Sequence, residues 1–255
     1  MIVNKINVDT MSEERIENEK AFHNKIFENK SREKVGRYYA ITKSIHDDFD
    51  KIIYSNPKVR VLEYGCGMGE SLAKFASSGA DAHGIDISDF AINELQEKAD
   101  SNNLNIKYQV MNAEDLQYED KYFDLIFGTG ILHHLDLEKS FKTISEKLNK
   151  NGKAIFIEPL GHNFFINKYR NKTPDIRTVD EHPLLMNDLQ SAKEYFDEIV
   201  VKHYYLTSLA IPIFFKKDAP KILIKSLDIL DSMIFTVLPF MKRYSWQVLI
   251  EFKKG

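Results

Sequence analysis

The chain has 255 residues, 43% of them hydrophobic and 29% charged, which suits one well-buried domain with an accessory cover and not a disordered or membrane-spanning protein. A formal net charge of -3 provides no electrostatic footprint for a phosphate backbone and argues against RNA or DNA as a partner. The single cysteine, Cys66, rules out an internal disulfide and any zinc-finger or cluster spacing.

Residues 1–37 are charged and polar, without the basic and apolar regions of a secretory signal, so the expected location is the cytoplasm. Up to about residue 30 no apolar period is sustained, and this start is expected to be loose or a lid helix that orders on a ligand. From Val35 onward, Tyr38, Ile41, Ile45, Phe49 and Ile52 recur at three- and four-residue steps, the pattern of an amphipathic helix packing on a core.

Residues 60–71 then read as a buried strand running into three alternating glycines, Gly65, Gly67 and Gly69, and a helix start. Such a bend brings the backbone close to a ligand, and the following helix terminus offers free N–H groups. A dinucleotide fingerprint wants glycine where Glu70 stands, and a carboxylate there repels a pyrophosphate. With Glu63 just ahead of it, the loop suits a cofactor with a cationic end and no phosphate.

Residues 81–88 form a second strand that ends in Asp86, about twenty residues past the loop, where a βαβ unit delivers an acid to ribose hydroxyls. Residues 108–115 are a third strand breaking into the polar loop Asn112, Ala113 and Glu114. Residues 123–135 are a fourth, passing through Gly128 and Thr129 to His133 and His134. Residues 148–159 close a helix at a glycine turn and run a fifth strand ending at Glu158. This alternation demands a parallel sheet with right-handed crossovers.

In this order and spacing, residues 55 to about 160 resemble the class I S-adenosylmethionine-dependent methyltransferases, in particular the small-molecule branch that includes ubiquinone/menaquinone-type enzymes. The resemblance implies an α/β, Rossmann-like, doubly wound seven-stranded sheet with an antiparallel last strand. It implies S-adenosylmethionine as cofactor and S-adenosylhomocysteine as product. The loop of Glu63, Gly65, Cys66, Gly67 and Gly69 would hold the methionine part, Asp86 the ribose diol and Ile87 the adenine face. Asn112, Ala113 and Glu114 would read the adenine edge, with Gly128 and Thr129 among the cofactor contacts. Many members carry aspartate where Asn112 stands, and its amide oxygen still accepts a hydrogen bond.

Beyond the fifth strand, residues 161–186 are long for a connection and dense in polar groups, and are expected to border the active site. Residues 187–196 read as a helix, 198–206 as a strand and 246–253 as the last strand, the two strands forming, by resemblance, an antiparallel hairpin at one sheet edge. The apolar stretch 206–243 reads as a helical lid inserted before the last strand. The domain plan is therefore an N-terminal helical cap (1–54), a core (55–205 with 244–255) and this lid. Residues 222–241 are interrupted by Lys225, Asp228 and Asp231 and do not span a bilayer; core packing is the expected role, with peripheral membrane contact as the alternative.

The cofactor carries an activated methyl, so the protein mainly aligns the acceptor and excludes water, and a base is needed only for a protonated acceptor. His133 and His134, at the carboxyl edge of the sheet, are the candidate bases, with Glu158 to orient an imidazole. His162, His182, Arg170 and Arg177 are candidate substrate contacts. The arginines either clamp an anionic group or pair with Asp175, Asp180 and Glu181. Tyr38 and Tyr39 are placed with the substrate contacts, closing over the methionine end. No ligand pair has metal-site spacing, and no metal is expected. The expected reaction is methyl transfer to a small-molecule or lipid-like acceptor, most readily at oxygen, with nitrogen or carbon as alternatives. A noncatalytic cofactor-binding protein is the rival of another class.

Overall fold

The computed structural model describes residues 2–28, 41–56, 58–173, 178, 181–211, 215 and 219–255. Its centre is one seven-stranded sheet. The strands are β1 (Arg60–Tyr64), β2 (Asp81–Asp86), β3 (Ile106–Val110), β4 (Phe123–Thr129), β5 (Leu148–Pro159), β6 (Glu198–Tyr204) and β7 (Gln247–Lys253). They lie in the order β3-β2-β1-β4-β5-β7-β6. The first five are parallel, and β7 runs antiparallel to both β5 and β6. This is the Rossmann-like arrangement with an antiparallel last strand that the resemblance implies.

Helices cover both faces, so the central strands are apolar almost throughout. Side chains alternate between two cores as the two-residue period requires. Val61, Leu125, Phe127 and Ile155 face one layer, where Phe49 and Phe75 pack. Leu62, Tyr64, Ile126 and Phe156 face the other, with Phe141 and Phe252.

The helices are α1 (Ile2–Glu28), α2 (Lys43–Ile53), α3 (Glu70–Ser77), α4 (Asp89–Ser101), α5 (Leu137–Lys147), α6 (Phe164–Arg170), α7 (Asp188–Ser191) and α8 (Lys221–Val237). The predicted stripe of α2 is present: Ile41, Ile45 and Phe49 are buried, and Ile53 completes it ahead of the half-buried Ile52. Tyr38 and Tyr39, expected on the same stretch, lie outside the described residues. Ser88 caps α4, accepting from the Ala91 N–H at 3.1 Å, and Asp136 caps α5 through the Lys139 N–H at 3.2 Å.

Two expectations are corrected in the C-terminal third. The predicted helix over 187–196 is one turn, α7, followed by a 3-10 turn at Ala192–Glu194. Phe196, packed on Phe252 at 4.8 Å between ring centroids, turns the chain inward so that β6 begins two residues later. The strand expected through Leu206 stops at Tyr204, because Tyr205 adopts φ +64 and the next two N–H groups turn away to Asp231. β6 and β7 form the expected antiparallel pair at one sheet edge, with β6 outermost and residues 205–246 between them in the chain.

Asp231 anchors this excursion. It is buried on α8, and its carboxylate accepts from Leu206 N at 2.8 Å, Thr207 N at 2.9 Å and Thr207 Oγ1 at 2.6 Å. Asp231→Ala leaves two backbone donors without an acceptor and is expected to lower unfolding stability by about 3 kcal/mol, measured by urea denaturation. A loss below about 0.5 kcal/mol would show that α8 docks through its apolar face alone. Among the described residues no helix is long and apolar enough to cross a membrane.

Candidate active site

Strand order reverses between β1 and β4, and the C-terminal ends of β1, β2 and β4 open into a crevice there. The loop after β1 enters it with positive φ at Gly65, Gly67 and Gly69. Gly69, at the start of α3, has φ +66, and a Cβ on it would lie 2.3 Å from Leu95 Cδ1. Gly128 in β4 is required for a different reason: a Cβ would meet the Tyr64 carbonyl oxygen at 2.5 Å. Both glycines let the elements around the crevice pack closely.

Of the predicted cofactor residues, Gly65, Asp86, Ile87, Asn112, Ala113, Glu114 and Thr129 line this crevice together, joined by His134. Asp86 is fixed at its rim, accepting from Gly67 N at 2.8 Å and Ser88 N at 2.9 Å. Asn112 Oδ1 accepts from Glu114 N at 3.0 Å, so part of the accepting capacity expected for an adenine amino group is spent on the loop itself. Cys66 turns away. Its N–H donates to the Ile85 carbonyl at 2.8 Å, its thiol packs at Gly84, and burial pushes that thiol well up. It belongs to the core.

Glu63 also points away from the crevice, into the layer under α3. Burial pushes its carboxyl up to about 8, outweighing the Leu72 backbone and Ser71 side chain, which pull it down. It therefore holds a proton at neutral pH when folded. Unfolded, it ionises near 4.5, so between 4.5 and about 8 the folded state binds the extra proton and this group's contribution to stability declines as pH rises. Glu63→Gln cannot ionise, and its thermal midpoint is expected to lack that decline; equal slopes for both proteins across the window would show Glu63 to be ionised in the fold.

The cover of the crevice is α1. Arg15, Glu19, His23 and Phe27 follow at four-residue steps and face inward. Arg15 donates to Glu114 Oε1 at 2.5 Å and to the His134 carbonyl at 3.0 Å, while Asn24 Oδ1 accepts from Ser88 Oγ at 2.5 Å. Phe27 stands over the glycine loop, 3.4 Å from the place of a Cβ on Gly67. These residues escape a search for apolar periodicity because three of the four are polar. The signal was the four-residue spacing of Arg, Glu, His and Phe. By contrast, no described residue of 206–243 lines the crevice, and the described cover is α1.

Glu19 is buried with its carboxylate 3.3 Å from His134 Nδ1 and 3.4 Å from His23 Nε2, ion-pair distances not aligned as hydrogen bonds. Burial pushes its carboxyl up, but His134, His23 and Thr178 outweigh this and hold it well below the usual range.

The two adjacent histidines serve different surroundings. His134 faces the crevice and Glu19. His133 Nδ1 lies 2.7 Å from Glu158 Oε2, and the fully buried Glu158 accepts through Oε1 from Ile131 N at 2.9 Å and Leu132 N at 2.8 Å. On the other side, His133 Nε2 is 3.7 Å from Glu181 Oε1. Arg170, a predicted substrate clamp, donates to that Glu181 oxygen at 2.5 Å, the ion-pair alternative. His182 joins through its backbone, its N–H donating to the His133 carbonyl at 3.3 Å. His162 does not. Its Nε2 accepts from Met186 N at 3.2 Å and braces the connection, and burial, then Arg243, holds its imidazole below the ordinary value. Arg177 lies outside the described residues. Among the described residues, Glu19, His23 and His134, and likewise His133, His134 and Glu181, bring one donor atom each within 4.8 Å, which carboxylate–imidazole pairing accounts for.

Residues 61–152 match the family model of a methyltransferase domain. Phosphoethanolamine N-methyltransferase 2 of Caenorhabditis elegans is 33% identical over 105 residues, 39% of this chain and 23% of that protein. A ubiquinone biosynthesis O-methyltransferase of Coxiella burnetii is 31% identical over 105 residues, 41% of this chain and 44% of that one. The chain thus spans less than half the length of either relative. Among solved structures, a SAM-dependent methyltransferase from Archaeoglobus fulgidus superposes with a TM-score of 0.56 at 18% identity, over 86% of this chain and 94% of that one, a likeness of fold. Residues 61–152 thus carry the sequence of a methyltransferase domain, and the chain shares its Rossmann-like fold with the Archaeoglobus fulgidus structure. That segment holds the glycine loop, Asp86 and both histidines.

Proposed function

We propose that the chain transfers the methyl group of S-adenosylmethionine to a small-molecule or lipid-like acceptor, at an oxygen atom, in the cytoplasm. The crevice suits the cofactor: Asp86 presents two aligned oxygens at its rim, and Gly65 and Gly130 line it with backbone that carries no side chain. Bound there, the cofactor supplies a methyl already activated on a sulfonium. The chain's own residues supply alignment, exclusion of water by α1 and removal of one proton.

The observation that carries the choice of oxygen is the pair of His133 and Glu158. The Nδ1–H donated to Glu158 fixes the tautomer, leaving the Nε2 lone pair to take a hydroxyl proton, and the carboxylates of Glu158 and Glu181 favour the positive charge that then develops. An amine that arrives neutral, or a carbon acceptor activated by its own substituents, has less use for such a pair.

Calorimetry with S-adenosylhomocysteine tests the first half, and the absence of binding to folded protein removes the proposal. Mass spectrometry of extracts incubated with deuteromethyl cofactor tests the second. Binding without transfer of label to any acceptor would identify a noncatalytic cofactor-binding protein, and label on nitrogen or carbon would displace oxygen.

A further inference from the structure

Helix α8 is apolar on both sides. Inward, Phe235 is buried and Ile224 and Leu227 pack on the core. Outward, Ile222, Ile229, Met233 and Val237 follow at seven- and four-residue steps, with Leu230 beside them, and their exposures run from 42% to 82%. A surface helix normally turns polar residues to solvent, so this stripe is an unpartnered face.

The face continues past the helix. Phe240 is 63% exposed on the following turn, Pro239–Tyr244. Asn163 Nδ2 donates to the Tyr244 carbonyl at 2.6 Å, which brings the start of α6 alongside, where Phe164 and Phe165 are 69% and 72% exposed.

Charge selects the partner. Between residues 219 and 245 the acids are Asp228 and Asp231, one half-buried and the other buried beneath Leu206 and Thr207. The cations Lys221, Lys225, Lys242 and Arg243 are all exposed. An apolar stripe rimmed by cations, with no exposed acid of its own stretch, complements a surface that is apolar within and anionic at its boundary. A second copy of the chain would set the same cations against each other across a two-fold axis. We propose that this face docks on an anionic lipid bilayer, with α8 lying in the plane of the interface and the aromatic rings of 164, 165 and 240 entering it.

This inference goes beyond the catalytic reading and does not depend on it, because its test measures attachment. The full chain is sedimented with vesicles of phosphatidylcholine alone or mixed with phosphatidylglycerol. Binding to the anionic vesicles is expected, with a fall of at least about tenfold for Lys242→Glu with Arg243→Glu, or at about 0.5 M salt where charges are screened beyond a few ångströms. Met233→Asp with Val237→Asp is expected to abolish binding. Should that variant fail to fold, Phe164→Ser with Phe165→Ser, on the separate α6 side, is expected to weaken binding without changing the thermal midpoint. No sedimentation of wild type with anionic vesicles overturns the proposal, as does binding that none of these changes reduces. Light scattering that shows a dimer abolished by Met233→Asp with Val237→Asp would assign the face to self-association and likewise overturn it.

Discussion

Replacing His133 with alanine is expected to lower methyl-transfer turnover by about 10²–10³-fold while leaving the affinity for S-adenosylhomocysteine nearly unchanged. The imidazole is held from behind: Glu158 Oε2 takes Nδ1, and Oε1 is committed to two backbone donors. Glu158→Gln keeps the shape but offers one accepting oxygen where two are used, so either His133 or the turn at Ile131 and Leu132 loses its partner. That variant is expected to lose part of the same rate, with cofactor binding retained. Single-turnover measurements on an identified acceptor distinguish the two histidines. If His134→Ala abolishes transfer while His133→Ala does not, the base is His134 and the Glu158 pair serves structure.

Asp86→Ala is expected to weaken S-adenosylhomocysteine binding roughly a hundredfold. Two hydrogen bonds from a diol to a carboxylate contribute about 3 kcal/mol together, and each 1.4 kcal/mol is a factor of ten. Part of the loss comes through the loop, because Gly67 N and Ser88 N now donate to Asp86 and would need water in its place. Asp86→Asn restores one accepting oxygen and is expected to fall between. Calorimetry reads both, and an unchanged dissociation constant for Asp86→Ala would remove this residue from the cofactor site.

β1, β2, β4 and β5 were legible because each is largely an apolar run punctuated by glycine or a carboxylate, and the Gly65–Gly69 bend sits where β1 meets α3; β3, with its polar Lys107 and Gln109, begins two residues before the expected 108. The core stripe of Ile41, Ile45 and Phe49 was legible for the same reason. What sequence could not supply was direction in space. Cys66 and Glu63 stand among the loop glycines, yet period-two alternation and the bend turn both into the layer under α3. Arg170 carries the chemistry of an anion clamp, and only the fold shows Glu181 already in its fork. The face of α1 that closes the crevice is invisible to hydropathy, since its spacing is written in Arg15, Glu19 and His23. The stretch 206–243 advertised burial by its composition, whereas α8 buries only one of its two apolar faces.

The slot that β7 occupies has a consequence for how the chain is made. Seven register pairs join it to β5 and seven to β6, so one segment near the C-terminus stitches the edge strand to the rest of the sheet. While the polypeptide is still emerging from the ribosome, β5 waits with one flank open and β6 has no neighbour at all. Closure comes only when residues 247–253 thread between them, which makes the nascent protein vulnerable to misassembly until that segment has emerged.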